Sequence, residues 1–404
     1  MKLSGDCKNS KHTKKSTAWR IVASCILVLA LLVGLWGTAV FSNIPFVKKW
    51  REIYIETAMT TMTHQWLATA FIPASVIDAV MNRQNEFLEN NQVAQSELPE
   101  IETETAYTQE TETRGDPVPM DALARMFAEI DMETVPDDFL PAEYSDFCGF
   151  QAKDIEDTGI LTASGDAVWG IDIPNGILIT KIYGDNYVGT LAIVNDSAQV
   201  FLEKSSLSQR GETIKEMCDG YGAILGINAN GFYDPDGTSY GDSPEGLLLS
   251  ESTIYNPASS DGYFQIGGYD YDDYFRVGYG LNTDELRDAA QFFPIVVLNG
   301  EDATAENANA FGIQPRTCIG QTSTLKTLML IIDGRQIGYS IGATVGDCAA
   351  IMLRYHAFNA ICMDGGSSSC MVYDGALITK PSTAMTYGRY VPSGWLVNNS
   401  NKGV

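Results

Sequence analysis

The sequence predicts an α+β fold: a mixed β-sheet domain with a few helices, preceded by one transmembrane helix and a disordered acidic linker. Three observations carry that expectation. An uncharged, apolar run lies near the N-terminus. A Glu- and Thr-rich stretch follows some fifty residues later. Beyond about residue 176, short β-rich runs bounded by Gly, Asn and Asp are interspersed with a few helix-like segments.

Residues 1–20 form a basic tail with six Lys or Arg and one acid, Asp6. Residues 21–47 carry no charge, and Ile21–Phe41 is almost wholly apolar. About 20 apolar residues span a bilayer core, whereas a secretory signal core is about 7–15. No small-residue cleavage site follows, so residues 21–47 read as an uncleaved signal anchor. The basic tail exceeds Lys48, Lys49 and Arg51 on the far side, which places the N-terminus in the cytoplasm and the bulk of the chain outside the cell membrane.

Residues 48–92 read as a juxtamembrane helical segment. Tyr54–Met62 is helix-compatible, Pro73 interrupts it, and Val76–Met81 begins a second helix, placed against the membrane surface or the base of the main domain. Residues 93–119 read as an acidic flexible linker: six Glu and one Asp between Glu97 and Pro119 leave little to bury. Residues 120–404 are the main extracytoplasmic domain. In it, Ile177–Tyr183, Leu191–Val194 and Ala223–Ile227 read as strands, and Glu212–Tyr221 and Gly346–Phe358 as helices. Leu328–Ile332, Asp333-Gly334 and Arg335–Ser340 read as a hairpin closed by a DG turn.

Composition narrows the chemistry. The chain of 404 residues has 26 Lys+Arg against 51 Asp+Glu, a net charge of −25. With the basic tail set aside the body is more acidic still and repels a phosphate backbone, so nucleic acid is excluded as a partner. Of three histidines only His356 lies in the main domain, inside a helix-like run, which disfavours His-based triads and multi-histidine metal sites. Six cysteines lie beyond the tail and anchor, none in a CxxC spacing. They fit either disulfides or buried thiols, and not zinc.

Three segments concentrate functional side chains. Asp364-Gly365-Gly366-Ser367-Ser368-Ser369 ends a buried strand in a carboxylate, two glycines and three hydroxyls. Such a loop offers amides for an anion beside a carboxylate that can act as base, nucleophile or ligand; a plain Gly-Ser turn is the alternative. Asn228-Ala229-Asn230 leads into a polar loop in which Asp234, Asp236, Thr238, Tyr240, Asp242 and Glu245 fall on calcium-hand positions. Ser239 replaces the required glycine, so an EF-hand is not expected. Asp234 and Asp236 remain candidate ligands for Ca²⁺ or another divalent cation, and no cofactor is assigned beyond that. Arg316 starts a probable strand and offers the planar fork that phosphate recognition uses.

In this order, Gly226–Pro235, Pro244–Leu247, Val297–Glu301, Pro315–Gly320, Asp333–Ser340, Asp364–Ser369, Arg389 and Val391 resemble the phosphodiester glycosidase family over about residues 180–398. Residues 50–90 resemble the juxtamembrane part of anchored bacterial members labelled exopolysaccharide-related. Ser367 stands where the family usually has a third glycine, and His356-Ala357-Phe358-Asn359 differs from its usual helix end. The resemblance implies hydrolysis of the glycosidic C–O bond of a sugar-1-phosphodiester in a cell-envelope or extracellular glycan. It implies Asp364 at the reacting centre, Arg316 as the cation and Asn228 orienting a sugar hydroxyl. Asp333 joins them as a catalytic candidate, although a turn explains it equally well. Gly365, Gly366, Ser367, Ser368, Ser369, Asn230, Arg335 and Arg389 are the substrate-binding candidates. Two rivals stand beside this reading: a non-catalytic glycan-binding module in exopolysaccharide assembly, and a metal-dependent phosphodiesterase that cuts P–O.

Overall fold

The computed structural model describes residues 10–61, 64–93, 95–100, 120–136, 158–234 and 239–399. The expectations for residues 101–119, Cys148 and Asp236 lie outside these. Among the described residues the helices are α1 (Ser10–Phe41), α2 (Pro45–Met59), α3 (Trp66–Thr69), α4 (Ala74–Asn90), α5 (Met120–Met126), α6 (Ile214–Tyr221) and α7 (Val345–Arg354). The strands begin with β1 (Ala167–Asp172), β2 (Ile177–Tyr183), β3 (Val188–Val194), β4 (Val200–Lys204), β5 (Ala223–Asn228) and β6 (Leu248–Ser250). They continue with β7 (Thr253–Asn256), β8 (Gln265–Asp270), β9 (Phe275–Gly278), β10 (Leu286–Phe292), β11 (Ile295–Leu298) and β12 (Glu301–Asp302). The last six are β13 (Arg316–Thr322), β14 (Thr327–Ile332), β15 (Ala357–Met363), β16 (Met371–Tyr373), β17 (Ala376–Leu377) and β18 (Ser393–Asn398).

The strands form three sheets whose pairings are antiparallel throughout: an eight-stranded sheet β1-β2-β3-β14-β13-β15-β11-β12, and two five-stranded sheets, β7-β6-β10-β8-β9 and β17-β16-β5-β18-β4. The large sheet is apolar on both faces, which is why its strands read as unbroken hydrophobic runs rather than alternating ones. In β14, Leu328, Leu330 and Ile332 point to a core that contains α7 residues, Phe127 and Phe87. Met329 and Ile331 point to the opposite core, where Ile227 and Trp395 from one small sheet and Tyr269 and Phe275 from the other pack together. A capping box at Thr213 and Glu216 starts α6, and a second at Thr344 and Asp347 starts α7.

Two expectations change. The segment after β14 is not the return strand of a hairpin: β14 pairs with β3 and β13, and Asp333–Ser340 folds on itself through a Gln336–Ser340 bridge. The described part of the segment 93–119 is laid along the domain rather than free. Ser96 N–H donates to Val277 O (2.8 Å), Tyr279 N–H to Val93 O (2.7 Å), and Asn91 exchanges side-chain bonds with both backbone groups of Ile295. Of the cysteines outside the anchor, Cys218, Cys318, Cys348, Cys362 and Cys370 are buried free thiols.

Candidate active site

The site lies where the end of β15 in the large sheet meets the end of β5 in a small one. Asn228, wholly buried, makes that junction. Its Nδ2 donates to the Asp364 carbonyl (2.6 Å), and its Oδ1 accepts from Thr317 Oγ1 (2.8 Å) and from the Cys370 amide (3.3 Å). The oxygen and one N–H of this amide are therefore engaged by protein. Asn230 is equally committed, donating to the carbonyls of Leu247 and Glu245 and accepting from Ser393. These bonds fix the loop that leaves β5.

The loop itself is a close approach of backbone to backbone. A Cβ on Gly365 would lie 2.8 Å from the Pro315 carbonyl oxygen, and Gly366 adopts φ +63°. Gly366 N–H donates to Pro315 O (3.0 Å), and the Gly365 amide donates to the Asp364 carboxyl. The two glycine amides thus fix the loop and the carboxyl instead of forming the expected anion cradle. Burial pushes the Asp364 carboxyl up to about 6, against the opposing hydrogen bond from Ser368 and the charge of Arg389; the charge of Glu245 adds to the rise. Ser369 Oγ is buried with no hydrogen-bond partner.

Two arginines flank this carboxyl, and Arg316 is neither of them. Arg316 is buried beneath the loop, donating from Nε to Ala343 O (3.2 Å) and from one Nη to the carbonyls of Phe311 and Gly312. Its Nε and one Nη are thus taken up by backbone carbonyls, which clamp the segment before β13. Arg335, held at φ +59°, donates to Gln314 Oε1 (2.8 Å), lies against Gly366 and interacts electrostatically with Asp364. Arg389 donates to Ser367 Oγ (3.3 Å) and to Asp234, with its guanidinium over the Phe232 ring.

Asp234 serves that arginine. One oxygen takes Arg389 and the other accepts from Ser239 N–H (2.7 Å), a donor set that leaves little for a cation. Among the described residues no cluster of His, Cys, Asp and Glu could hold a metal ion. Asp333 is buried under its own loop, accepting from Tyr339 OH and Lys380 N–H (both 2.9 Å). It ties that loop to residue 380. Glu245 is the residue to which sequence reasoning gave no role of its own. It is exposed, its N–H is held by Gly231 O (2.8 Å), and it acts electrostatically on Asp364. Its place in Pro244-Glu245-Gly246-Leu247 was the available signal. Arg335, Arg389 and Glu245 thus all act electrostatically on Asp364, an arrangement that offers counter-charge to an anion and a carboxyl beside it.

Residues 221–398 match the phosphodiester glycosidase family model. Every one of these side chains falls within that segment. No curated protein matches the chain. Three solved structures are similar. The zebrafish N-acetylglucosamine-1-phosphodiester alpha-N-acetylglucosaminidase catalytic domain, auto-inhibited by its pro-peptide, is 18% identical with TM-score 0.46, covering 55% of this chain and 82% of that one. A hypothetical protein from Synechocystis is 13% identical with TM-score 0.40, covering 55% and 62%. A putative exported protein from Burkholderia pseudomallei is 14% identical with TM-score 0.39, covering 53% and 74%. The phosphodiester glycosidase match stops short of α2 and α4, yet α2 touches the site's support. Gln314, which holds Arg335, donates to Thr57 O and Thr60 Oγ1 (both 3.2 Å).

Proposed function

We propose that the chain is a membrane-anchored hydrolase that cleaves the glycosidic C–O bond of a sugar-1-phosphodiester in a cell-envelope or extracellular glycan. The observation that carries this reading is the Asp364 carboxyl, raised to about 6 and set between Arg335 and Arg389 inside the family-matched segment. Expelling a phosphate monoester from an anomeric carbon needs little proton donation. What the transition state needs is a counter-charge for the phosphate and an anion near the cationic sugar. Arg335 and Arg389 supply the first, with Ser367 beside them. Asp364 supplies the second, and Glu245 is the further carboxyl available to direct water. A cleft of about 470 Å³ lined by Leu207, Ser208, Gln209, Arg210 and Tyr240 offers room for the rest of a glycan.

Helix α1 includes 23 consecutive residues, Trp19–Phe41, apolar and long enough to cross a membrane, which supports the anchor. The basic tail supports a cytoplasmic N-terminus. The test is incubation of the full chain, in detergent or vesicles, with a panel of sugar-1-phosphodiesters in ¹⁸O-labelled water. Label in the released sugar is the expected result. Label in phosphate would convert the reading to a phosphodiesterase, and binding without turnover to a glycan-binding module.

A further inference from the structure

Outside the site, a group of exposed aromatic side chains among the described residues lies close in sequence to the apolar helix. Phe46, Trp50 and Tyr54 recur at intervals of four along α2, so they share one face, and they are 71%, 44% and 43% exposed. Ile53, Ile55 and Ala58 of the same helix are buried. Trp66 and Phe71, on and just beyond α3, are 58% and 60% exposed, and Ile44 is 56% exposed. Exposed apolar surface of this extent marks an interaction site.

What covers it follows from how it is fastened. Trp36 Nε1 donates to the Phe71 carbonyl (2.8 Å), and Tyr54 OH donates to Leu67 O (2.8 Å), which ties α3 to both α1 and α2. Arg51 donates to the carbonyls of Val40 and Ser42 (both 2.9 Å) at the end of α1. Trp36 lies five residues inside the end of the apolar run at Phe41, about 7.5 Å along a helix. If α1 spans a bilayer, the segment bonded to Trp36 cannot stand clear of it. Lys48 and Lys49, both exposed, sit on the same short helix, where anionic headgroups would meet them.

We propose that α2 and α3 form an interfacial collar seated in the headgroup region of the bilayer, with Phe46, Trp50, Trp66 and Phe71 as its anchors. Rings of this type favour the membrane–water boundary, where an apolar body and a polar edge are both satisfied. The collar rests on the reading of α1 as a membrane anchor and adds to it a fixed pose. Through Gln314, α2 also reaches the support of Arg335, so the active site is held at a set height over the membrane.

The full chain reconstituted in phosphatidylcholine vesicles tests this by tryptophan quenching with lipids brominated near the carbonyl level. Of six tryptophans, Trp19, Trp36, Trp50 and Trp66 should be quenched, while Trp169 and Trp395 lie in the domain. The double variant Trp50→Phe, Trp66→Phe removes two of those four, so quenched emission should fall about twofold. Bromine deep in the acyl chains should quench the pair less than shallow bromine. Equal quenched emission in wild type and variant overturns the collar and leaves the face to a protein partner. Loss of quenching from Trp19 and Trp36 as well, read in Trp19→Phe and Trp36→Phe, would instead overturn the anchor on which the collar rests.

Discussion

Asp364 and the arginines around it divide the work in a way that substitution can read. A carboxylate opposite a developing sugar cation acts chiefly in the transition state, so Asp364→Asn should lower kcat by about 10²–10⁴ with the fold intact. If the ionised form is the active one, kcat/KM of the wild type should rise with pH through about 6 and then level. The arginines separate by their partners. Arg335→Lys and Arg389→Lys keep charge and lose the planar fork, so each should raise KM for phosphodiesters several-fold while an aryl glycoside is little affected. Arg316→Lys should do neither; it leaves the carbonyls of Phe311, Gly312 and Ala343 short of donors, and thermal stability is where its effect should show. The loop Asp364–Ser369 was legible because carboxylate, glycines and hydroxyls are adjacent in sequence. Which arginine faces it was not, because the carbonyls of Phe311, Gly312 and Ala343 that engage Arg316 meet it only in the folded chain. The buried bonds of Asn228 and Asn230 were out of reach for the same reason: polar side chains beside a site read alike whether they face a ligand or hold a loop.

Helix α2 shows the same limit at the level of elements. Its helical character was readable from apolar spacing, but its docking was not, since Thr57 and Thr60 meet Gln314 some 250 residues away in the chain. Gln314→Leu removes the acceptor for Arg335 and two bonds to α2 together. KM should rise with kcat nearly unchanged if Arg335 is a binding group; a matched fall in kcat alone would place Arg335 elsewhere in the reaction. Glu56 makes this interface pH-sensitive. Burial raises its carboxyl to about 7, Asn307 and the Gly312 backbone oppose that rise, and one oxygen has no partner. An acid raised in the folded state is stabilised there in its protonated form. The contribution is full below about pH 4.5 and is lost as pH rises through about 7, at a cost of about 3 kcal/mol. Glu56→Gln should therefore raise the melting temperature at pH 8 and change it little at pH 4.5, which paired melts at the two pH values would show. The β14 hairpin is the converse case. Asp-Gly after a strand is a strong turn signal, yet Asp333 is held by Tyr339 and Lys380 and turns the chain into a loop instead.

For the molecule as a whole, the central consequence is where the folding unit begins. Composition puts a break near residue 120, because the acidic stretch has so little to bury. The packing puts it earlier. Phe87 of α4 is 3% exposed and lies in the same core as Leu328, Leu330 and Ile351. Asn91 satisfies both backbone groups of Ile295 with its side chain, and Ser96 does so for Val277 with amide and hydroxyl. A fragment of residues 120–404 would expose that core face and leave those strand groups unpaired. Losing a buried Phe alone costs about 3–5 kcal/mol, and each lost hydrogen bond adds about 0.5–1.5. With about 2–4 °C of melting temperature per kcal/mol in a domain this size, the fragment should melt at least about 10 °C below the full chain. A fragment of residues 74–404, which keeps α4 and the segment after it, should recover most of that loss. It still lacks α2, so its KM should stay raised in the manner of Gln314→Leu. Equal melting temperatures for 120–404 and the full chain would show that the N-terminal helices only rest on the domain, and the link from membrane to active site would fall with them.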